Sequence, residues 1–337
     1  MGNDVQRDGD WERELVEMYR GRWLGHRARA YVTCPSTQPL AWRWVREGAP
    51  HGGIVVAREQ TAGKGRFDRA WWTGRGGLAL TLILRPDIPT DRLGMFAWLT
   101  AAGLLRALAT LGVEGKVKWP NDVLLPLPDR GHPRSRDAIN RVSKPMPPTS
   151  SCHPDKRNPC LSSPPLLRVR GRLQRGSRSN EPPCWSRLGK WAGILPQSAI
   201  AGQKVDAVVI GIGFNVRRPD CLPLCADQAA FLSDVGIERD DQTVLHHVLE
   251  GLQSVFDELL GRGDANSENP ISTTPFQEWR RACVTLGQVV RVRVDGEVVT
   301  GWAMDVTPAG ALIIRQSDGG ERRVHAGEAT IVKGSFE

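Results

Sequence analysis

The chain has 337 residues, enough for two or three domains, and its 40% hydrophobic and 24% charged content is that of an ordinary globular protein. No run of 18 apolar residues exists, and the seven cysteines fall at irregular spacings, which excludes a helical membrane span and a disulfide scaffold. The net charge of +8 invites a nucleic-acid partner, but residues 127–189 hold 13 Lys/Arg against four Asp/Glu, and that segment's +9 leaves −1 for the rest.

The polar start, Met1 to Arg20, has no apolar stretch of a secretory signal, so a cytoplasmic protein is expected. Asp10–Leu24 reads as a helix, Ala28–Cys34 as a strand and Pro39–Glu47 as a second helix. Gly53–Arg58 and Gly77–Leu84 read as strands, the latter a nearly continuous apolar run. Asp91–Leu111 reads as a long helix with Leu93, Phe96, Ala97, Thr100, Leu104, Leu108 and Leu111 at helical spacing. Lys116–Leu125 reads as one strand. Residues 127–189 then hold 11 of the 24 prolines and show no period, so a disordered insertion is expected there. Strands follow at Lys190–Leu195 and Ala207–Phe214, then helices at Thr243–Leu260 and Phe276–Thr285. The chain ends in short strands, Val289–Val294, Val298–Asp305, Ala311–Arg315 and Arg322–His325, parted by glycine turns in the manner of a small barrel or sandwich.

Three segments carry candidate chemistry. Gly63-Lys64-Gly65-Arg66-Phe67-Asp68-Arg69 lies between two strands. Its glycines let backbone N–H groups approach a ligand, and Lys64, Arg66 and Arg69 supply cations. Lys116-Val117-Lys118-Trp119-Pro120-Asn121-Asp122 sets two polar side chains at a strand end. Lys190-Trp191-Ala192-Gly193-Ile194-Leu195 is followed by Gly211-Ile212-Gly213-Phe214-Asn215, where glycines inside an apolar strand mark a close approach by a backbone or ligand. Each alone has a bland reading: a basic hairpin tip, a Pro-Asn-Asp turn, a strand-edge lysine.

Together the segments resemble the catalytic domain of the biotin–protein ligases, whose pattern runs Gly-Arg-Gly-Arg-x-x-Arg-x-Trp, Lys-Trp-Pro-Asn-Asp, Lys-x-x-Gly-Ile-Leu, Gly-x-Gly-x-Asn. All four occur here in that order, between Arg29 and Asn215. The resemblance implies an α+β fold: a mixed-sheet catalytic domain over 1–283, interrupted by the insertion at 127–189, and a small SH3-like β-barrel over 284–337. It implies ATP-dependent activation of biotin to biotinyl-5′-adenylate. Transfer follows, to a lysine of a biotin carboxyl carrier protein or the biotinyl domain of an acyl-CoA carboxylase. By the same resemblance Lys190 and Arg66 are catalytic. Ser36, Thr37, Gln38, Gln60, Lys64, Gly65, Arg66, Lys190 and Gly193 would meet biotin. Gly63, Lys64, Arg66, Arg69, Trp71, Asn121, Asp122 and Asn215 would meet ATP or the adenylate. Mg²⁺ is expected to arrive mainly with ATP, without an assigned protein ligand set, although Asn121 and Asp122 suit either Mg²⁺ or the incoming lysine. Ser36 also suits the N-cap of the following helix.

Departures from the pattern matter. Lys64 stands where Arg is usual, which keeps the charge and loses the bidentate fork. Leu195 is followed by Pro196-Gln197 where a Glu is common. The stretch before Arg29 is too short for a winged helix-turn-helix, so no DNA binding is expected, and the lack of a long apolar run argues against a membrane partner. The rival readings are a lipoate ligase, which shares the fold and adenylate chemistry, and a nucleic-acid-binding protein acting through 127–189.

Overall fold

The computed structural model describes residues 5–127, 188–202, 204–222, 228–259, 274–294, 296–325 and 327–332. The expected disorder of the proline-rich insertion lies outside the described residues.

The main body is an eight-stranded mixed sheet in the order β1-β2-β3-β4-β8-β7-β6-β5. Its strands are β1 (Gln6–Arg7), β2 (Ala28–Cys34), β3 (Ile54–Gln60), β4 (Gly77–Leu84), β5 (Lys116–Lys118), β6 (Asp122–Pro126), β7 (Leu188–Ala201) and β8 (Lys204–Asn215). Only β2 and β3 are parallel, joined by the crossover helix α2 (Thr37–Arg46); every other pairing is antiparallel. One face packs α2 through Tyr31, Ala41, Val45, Val55, Ile83 and Val209. The other face buries the larger core against α1 (Gly9–Met18), α3 (Met95–Thr110) and α4 (Asp241–Leu259). Strand β4 is buried along its whole length, as its unbroken apolar run requires.

The sequence-based boundaries shift for physical reasons. The first helix stops at Met18, before Gly21 with φ +80°, where the chain turns to bury Tyr19 and Leu24. The long helix starts at Met95, after a separate 3-10 turn at Thr90–Arg92, and Gly94 between them sits against the Ala309 carbonyl where a Cβ would come within 2.3 Å. Lys116–Leu125 is a hairpin and not one strand: Trp119 and Pro120, joined by a cis peptide, turn the chain between β5 and β6. The expected insertion boundary also retreats, since Leu188 and Gly189 already belong to β7, opposite Pro126 and Leu125.

The C-terminal strands β9 (Val289–Val294), β10 (Glu297–Val306), β11 (Leu312–Arg315), β12 (Glu321–Val324) and β13 (Glu328–Ile331) form one antiparallel sheet ordered β12-β11-β10-β9-β13. The edge strands β12 and β13 do not pair with each other, so the expected barrel is an open five-stranded sheet. It is tied to the main body through α5 (Thr274–Ala282) and through indole N–H bonds from Trp98 to Pro308 O and from Trp119 to Gly310 O. No described helix is long and apolar enough to cross a membrane.

Candidate active site

The site lies on the α2 face of the sheet, where β8 carries two glycines on one side. A Cβ on Gly211 would come within 2.7 Å of the Gln38 carboxamide carbon, and one on Gly213 within 2.1 Å of the Trp71 indole nitrogen. Gly193 is paired directly with Gly213, and its Cβ would meet both the Trp71 ring and the Lys190 side chain. The glycines thus form a floor that only hydrogen can line, and an indole and an amide fill the space directly above it.

The segment 61–72 forms a hairpin over this floor. Bridges at Gln60↔Thr73 and Lys64↔Ala70 close it, with Trp71 N–H donating to Gly63 O and Gly65 N–H to Arg69 O. Gly63 is needed because a Cβ there would strike the Trp71 carbonyl at 2.4 Å. The glycine N–H groups expected to face a ligand are therefore partly committed, that of Gly65 within the hairpin itself. Phe67 and Asp68 at the tip hold φ of 55° and 56°, a left-handed conformation that non-glycine residues seldom adopt.

Lys190 is the cation at the centre. Its ammonium lies 2.7 Å from Asp122 Oδ1, a close ion pair off the line of an ideal hydrogen bond, and 5.0 Å from the centre of the Trp71 ring. Asp122 is paired with Gly193 across the β6–β7 ladder, so lysine, aspartate, indole and glycine floor share one row. Asn121 joins two elements: its Nδ2 donates to Ile194 O at 2.9 Å and its Oδ1 accepts from Arg66 at 3.4 Å.

The helix N-terminus beside the floor is capped in an unexpected way. Ser36 occupies the N-cap position of α2, yet its side chain makes no capping bond. Gln60 Oε1 does that work, accepting from Thr37 N–H at 2.9 Å, while Gln60 Nε2 donates to Thr73. Gln38 Nε2 donates to Leu195 O at 2.7 Å. Thr81, buried in β4, donates to the Thr37 hydroxyl at 2.8 Å. Thr37, Gln38 and Gln60 are therefore held by one another and by the sheet.

The loop cations divide. Arg66 turns inward and donates to Gly327 O at 3.0 Å, and burial pushes its pKa below the ordinary arginine value. Arg69 pairs with Glu328, whose carboxyl the Arg69 hydrogen bond holds below its ordinary 4.5. The hairpin is thereby latched to the C-terminal sheet. Lys64 points outward, 4.0 Å from Asp68, and is not brought to the cluster. Asn215 is buried behind Lys190 and not at the open face. Gly327, Glu328, Thr73 and Thr81 went unnoticed in the sequence; a carboxylate distant in the chain carries no local signal that it will meet a loop arginine.

Beside Arg66 and Asn121 opens a cavity of about 260 Å³, walled by Trp98, Trp119, Trp279, Pro196 and His325. Its aromatic walls suit the apolar part of a ligand, and its mouth is cationic and amide-lined. Among the described residues no three His, Cys, Asp or Glu side chains converge as a metal site. A magnesium ion carried on ligand phosphates would find oxygen donors in Asp122, beside Lys190, and in Asn121, beside Arg66.

Comparison with known proteins agrees with this geometry. Residues 30–131 match the biotin/lipoate A/B protein ligase family and residues 285–331 the biotin protein ligase C-terminal domain. The biotin–[acetyl-CoA-carboxylase] ligase of Paracoccus denitrificans is 42% identical over 268 residues, covering 77% of this chain and 83% of that protein. The bifunctional ligase/repressor BirA of Bacillus spizizenii is 26% identical over 293 residues, covering 84% and 68%. Among solved structures, the biotin protein ligase from Aquifex aeolicus in complex with biotin and ATP superposes with a TM-score of 0.57 at 18% identity, covering 91% of this chain and 99% of that one. That last likeness establishes the fold.

Proposed function

Because the chain belongs to the biotin–protein ligase family, we propose that it activates biotin with ATP and transfers it to a lysine of a biotin carboxyl carrier domain. The observation that carries this reading is the row of Lys190, Asp122 and Trp71 over the paired glycines Gly193 and Gly213.

The chemistry has an electrostatic obstacle. A biotin carboxylate oxygen attacks the α-phosphorus of ATP, a bond to phosphorus forms, and pyrophosphate leaves. Both reactants are anions, so a preorganised cation at their meeting point lowers the barrier most. Lys190 is that cation, held in place by Asp122 and by the Trp71 face. Arg66 adds a second charge at the margin of the site. Ser36, Thr37, Gln38 and Gln60 would hold the polar end of biotin, and the glycine floor with Trp71 would take its apolar body. Gly65 would join the biotin contacts, and Gly63, Lys64, Arg69, Asn121 and Asn215 would serve the nucleotide, Lys64 only after swinging inward from its exposed position. Mg²⁺ bound to the ATP phosphates would find Asn121 and Asp122 as protein oxygen donors, and would supply positive charge for the departing pyrophosphate.

In the second step the carrier lysine amine attacks the adenylate carbonyl, an amide forms, AMP leaves, and the amine loses a proton. Asp122 beside Lys190 suits that proton, a role general for a carboxylate within reach of an attacking amine. The hairpin latched over the floor would keep water from the adenylate between the two steps. The irregular cysteine spacing supports a reducing, cytoplasmic setting.

The test is pyrophosphate release from ATP and Mg²⁺ with biotin or with lipoate as the acid. Biotin-dependent release is expected; release with lipoate alone would overturn the reading.

A further inference from the structure

The β7–β8 ladder ends at Ala192↔Phe214, before it reaches Lys190. Residues 228–230 come back beside β7 and take the place of β8 there. Lys190 N–H donates to Gln228 O at 2.7 Å and Lys190 O accepts from Ala230 N–H at 2.9 Å, which makes a parallel bridge to Ala229. Both backbone groups of Lys190 therefore point to this segment and away from β6. On the β6 side the register steps from Val123↔Ala192 to Leu124↔Lys190, so that ladder is irregular at the same place. The new contact is close: a Cβ on Gly189 would fall 2.8 Å from the Ala230 Cβ and 3.1 Å from Gln228 O. The Lys190 backbone is thus held by residues 228–230, with the Asn215 amide as a further donor to Lys190 O.

A parallel bridge turns the backbone groups of Ala229 to the far side of the segment, and one side chain meets them. Arg218 Nη2 donates to Ala229 O at 2.8 Å. The same guanidinium forks onto Asp234, Nε to Oδ1 and Nη2 to Oδ2, both at 2.6 Å. It also lies 4.7 Å from the centre of the Phe231 ring. The Asp234 side chain is 7% exposed, and its Oδ2 accepts the Phe231 N–H at 2.9 Å as well. The backbone joins at the same point: Arg218 N–H donates to Ser233 Oγ at 2.9 Å, and Ser233 N–H to Val216 O at 3.1 Å. One arginine thus ties the chain just past β8 to residues 229–234.

We infer that Arg218 is a positioning residue for Lys190: its guanidinium fastens residues 229–234 to the end of β8, so that Gln228 and Ala230 hold the Lys190 backbone and keep its ammonium beside Asp122. The inference rests on the ligase reading for Lys190. Replacing Arg218 with Ala removes the donor to Ala229 O and strands a nearly buried carboxylate. Replacing it with Lys keeps the charge but cannot fork onto Asp234 and reach Ala229 O from one rigid plane.

A double-mutant cycle with Lys190 decides the matter, read by biotin-dependent pyrophosphate release and by amide hydrogen exchange. Arg218→Ala is expected to lower kcat on the order of 100-fold, the scale for misplacing a catalytic group by about 1 Å, with the KM for ATP little changed. Arg218→Lys should recover little of that loss. In the Lys190→Ala background Arg218→Ala adds no further loss, because it acts through that lysine. Exchange at the Lys190 amide, bonded to Gln228, should accelerate, while the Ile194 amide, bonded to Asn121, exchanges as in wild type. A raised KM for ATP with kcat unchanged, a full further loss on top of Lys190→Ala, or an unchanged Lys190 amide would overturn the inference. Asp234→Asn keeps an acceptor for the Phe231 N–H and removes the charge that Arg218 forks onto, so it carries the same cycle should Arg218→Ala fail to fold. A wild-type protein that releases no pyrophosphate contradicts the ligase reading itself. The fastening is then decided by exchange alone: a Lys190 amide that accelerates in the variant supports it, and one that does not refutes it.

Discussion

Adding one methyl group at Gly213 tests the glycine floor on which the site is built. An ideal Cβ there falls 2.1 Å from the Trp71 indole nitrogen and 2.3 Å from its Cε2, against 3.4 Å for ordinary contact, so the ring must rise by 1.3 Å. The neighbours Ile212 and Phe214 point to the opposite face, into the core, and remain undisturbed. The strand should therefore hold, with a stability loss of about 1–3 kcal/mol, the usual range for overpacking. The site should suffer more. Trp71 lies 5.0 Å from the Lys190 ammonium, and a shift of about 1 Å in a reacting arrangement costs on the order of 100-fold in rate. Thermal melting and biotin-dependent pyrophosphate release, measured on Gly213→Ala, separate the two effects. A modest drop in Tm with a large loss of rate and a raised KM for biotin is expected. Wild-type kinetics in a folded Gly213→Ala would refute the idea that Trp71 and the floor shape the pocket.

Lys190→Ala should lower adenylate formation about 100- to 1,000-fold, the scale for removing one preorganised donor, in a rapid-quench measurement of biotinyl-adenylate. A rate within a few-fold of wild type would deny Lys190 its central place. Glu328→Gln should loosen the hairpin while shifting stability by under about 1 kcal/mol, since both partners are partly exposed. Hydrogen exchange at the Gly65 and Trp71 amides should accelerate, and unchanged exchange would show that the latch does not hold the hairpin. In the wild type the same loosening should appear in acid. Glu328's folded pKa lies below its ordinary 4.5, so the pair's contribution is present above that pH and is lost as pH falls through the lower folded value. Replacing 127–187 by a two-residue Asn-Gly turn should leave biotinylation intact, because Pro126 and Leu188 are directly paired and a short hairpin spans that gap. Abolished transfer in a folded deletion variant would make the segment part of the enzyme.

Much of this was legible in the sequence because its signals are local. The apolar run of β4, the helical spacing of α3 and the glycines of β8 each announce their element within a few residues. The suspicion that Gly211 and Gly213 mark a close approach was met by Gln38 and Trp71. The parts that escaped notice depend on distant partners. Nothing near Lys190 announces that Trp191 will be skipped in the ladder, and the side chain that bonds the Lys190 carbonyl there, Asn215, lies 25 residues on. Nothing near Arg69 names Glu328, 259 residues away. Ser36 looked like a cap by residue type, but Gln60 arrives from the neighbouring strand and takes the Thr37 amide first. The hairpin at Trp119–Pro120 was read as one strand because its flanks share a β-like composition, and only the missing proline N–H hinted at the turn.

The most direct measurement of the central claim is transfer of labelled biotin to a biotin carboxyl carrier domain in the presence of ATP and Mg²⁺. The account predicts label on a single carrier lysine, dependent on ATP and slowed about 100-fold or more by Lys190→Ala. Labelling by Lys190→Ala at a rate within a few-fold of wild type, or none with the wild-type protein, would contradict it.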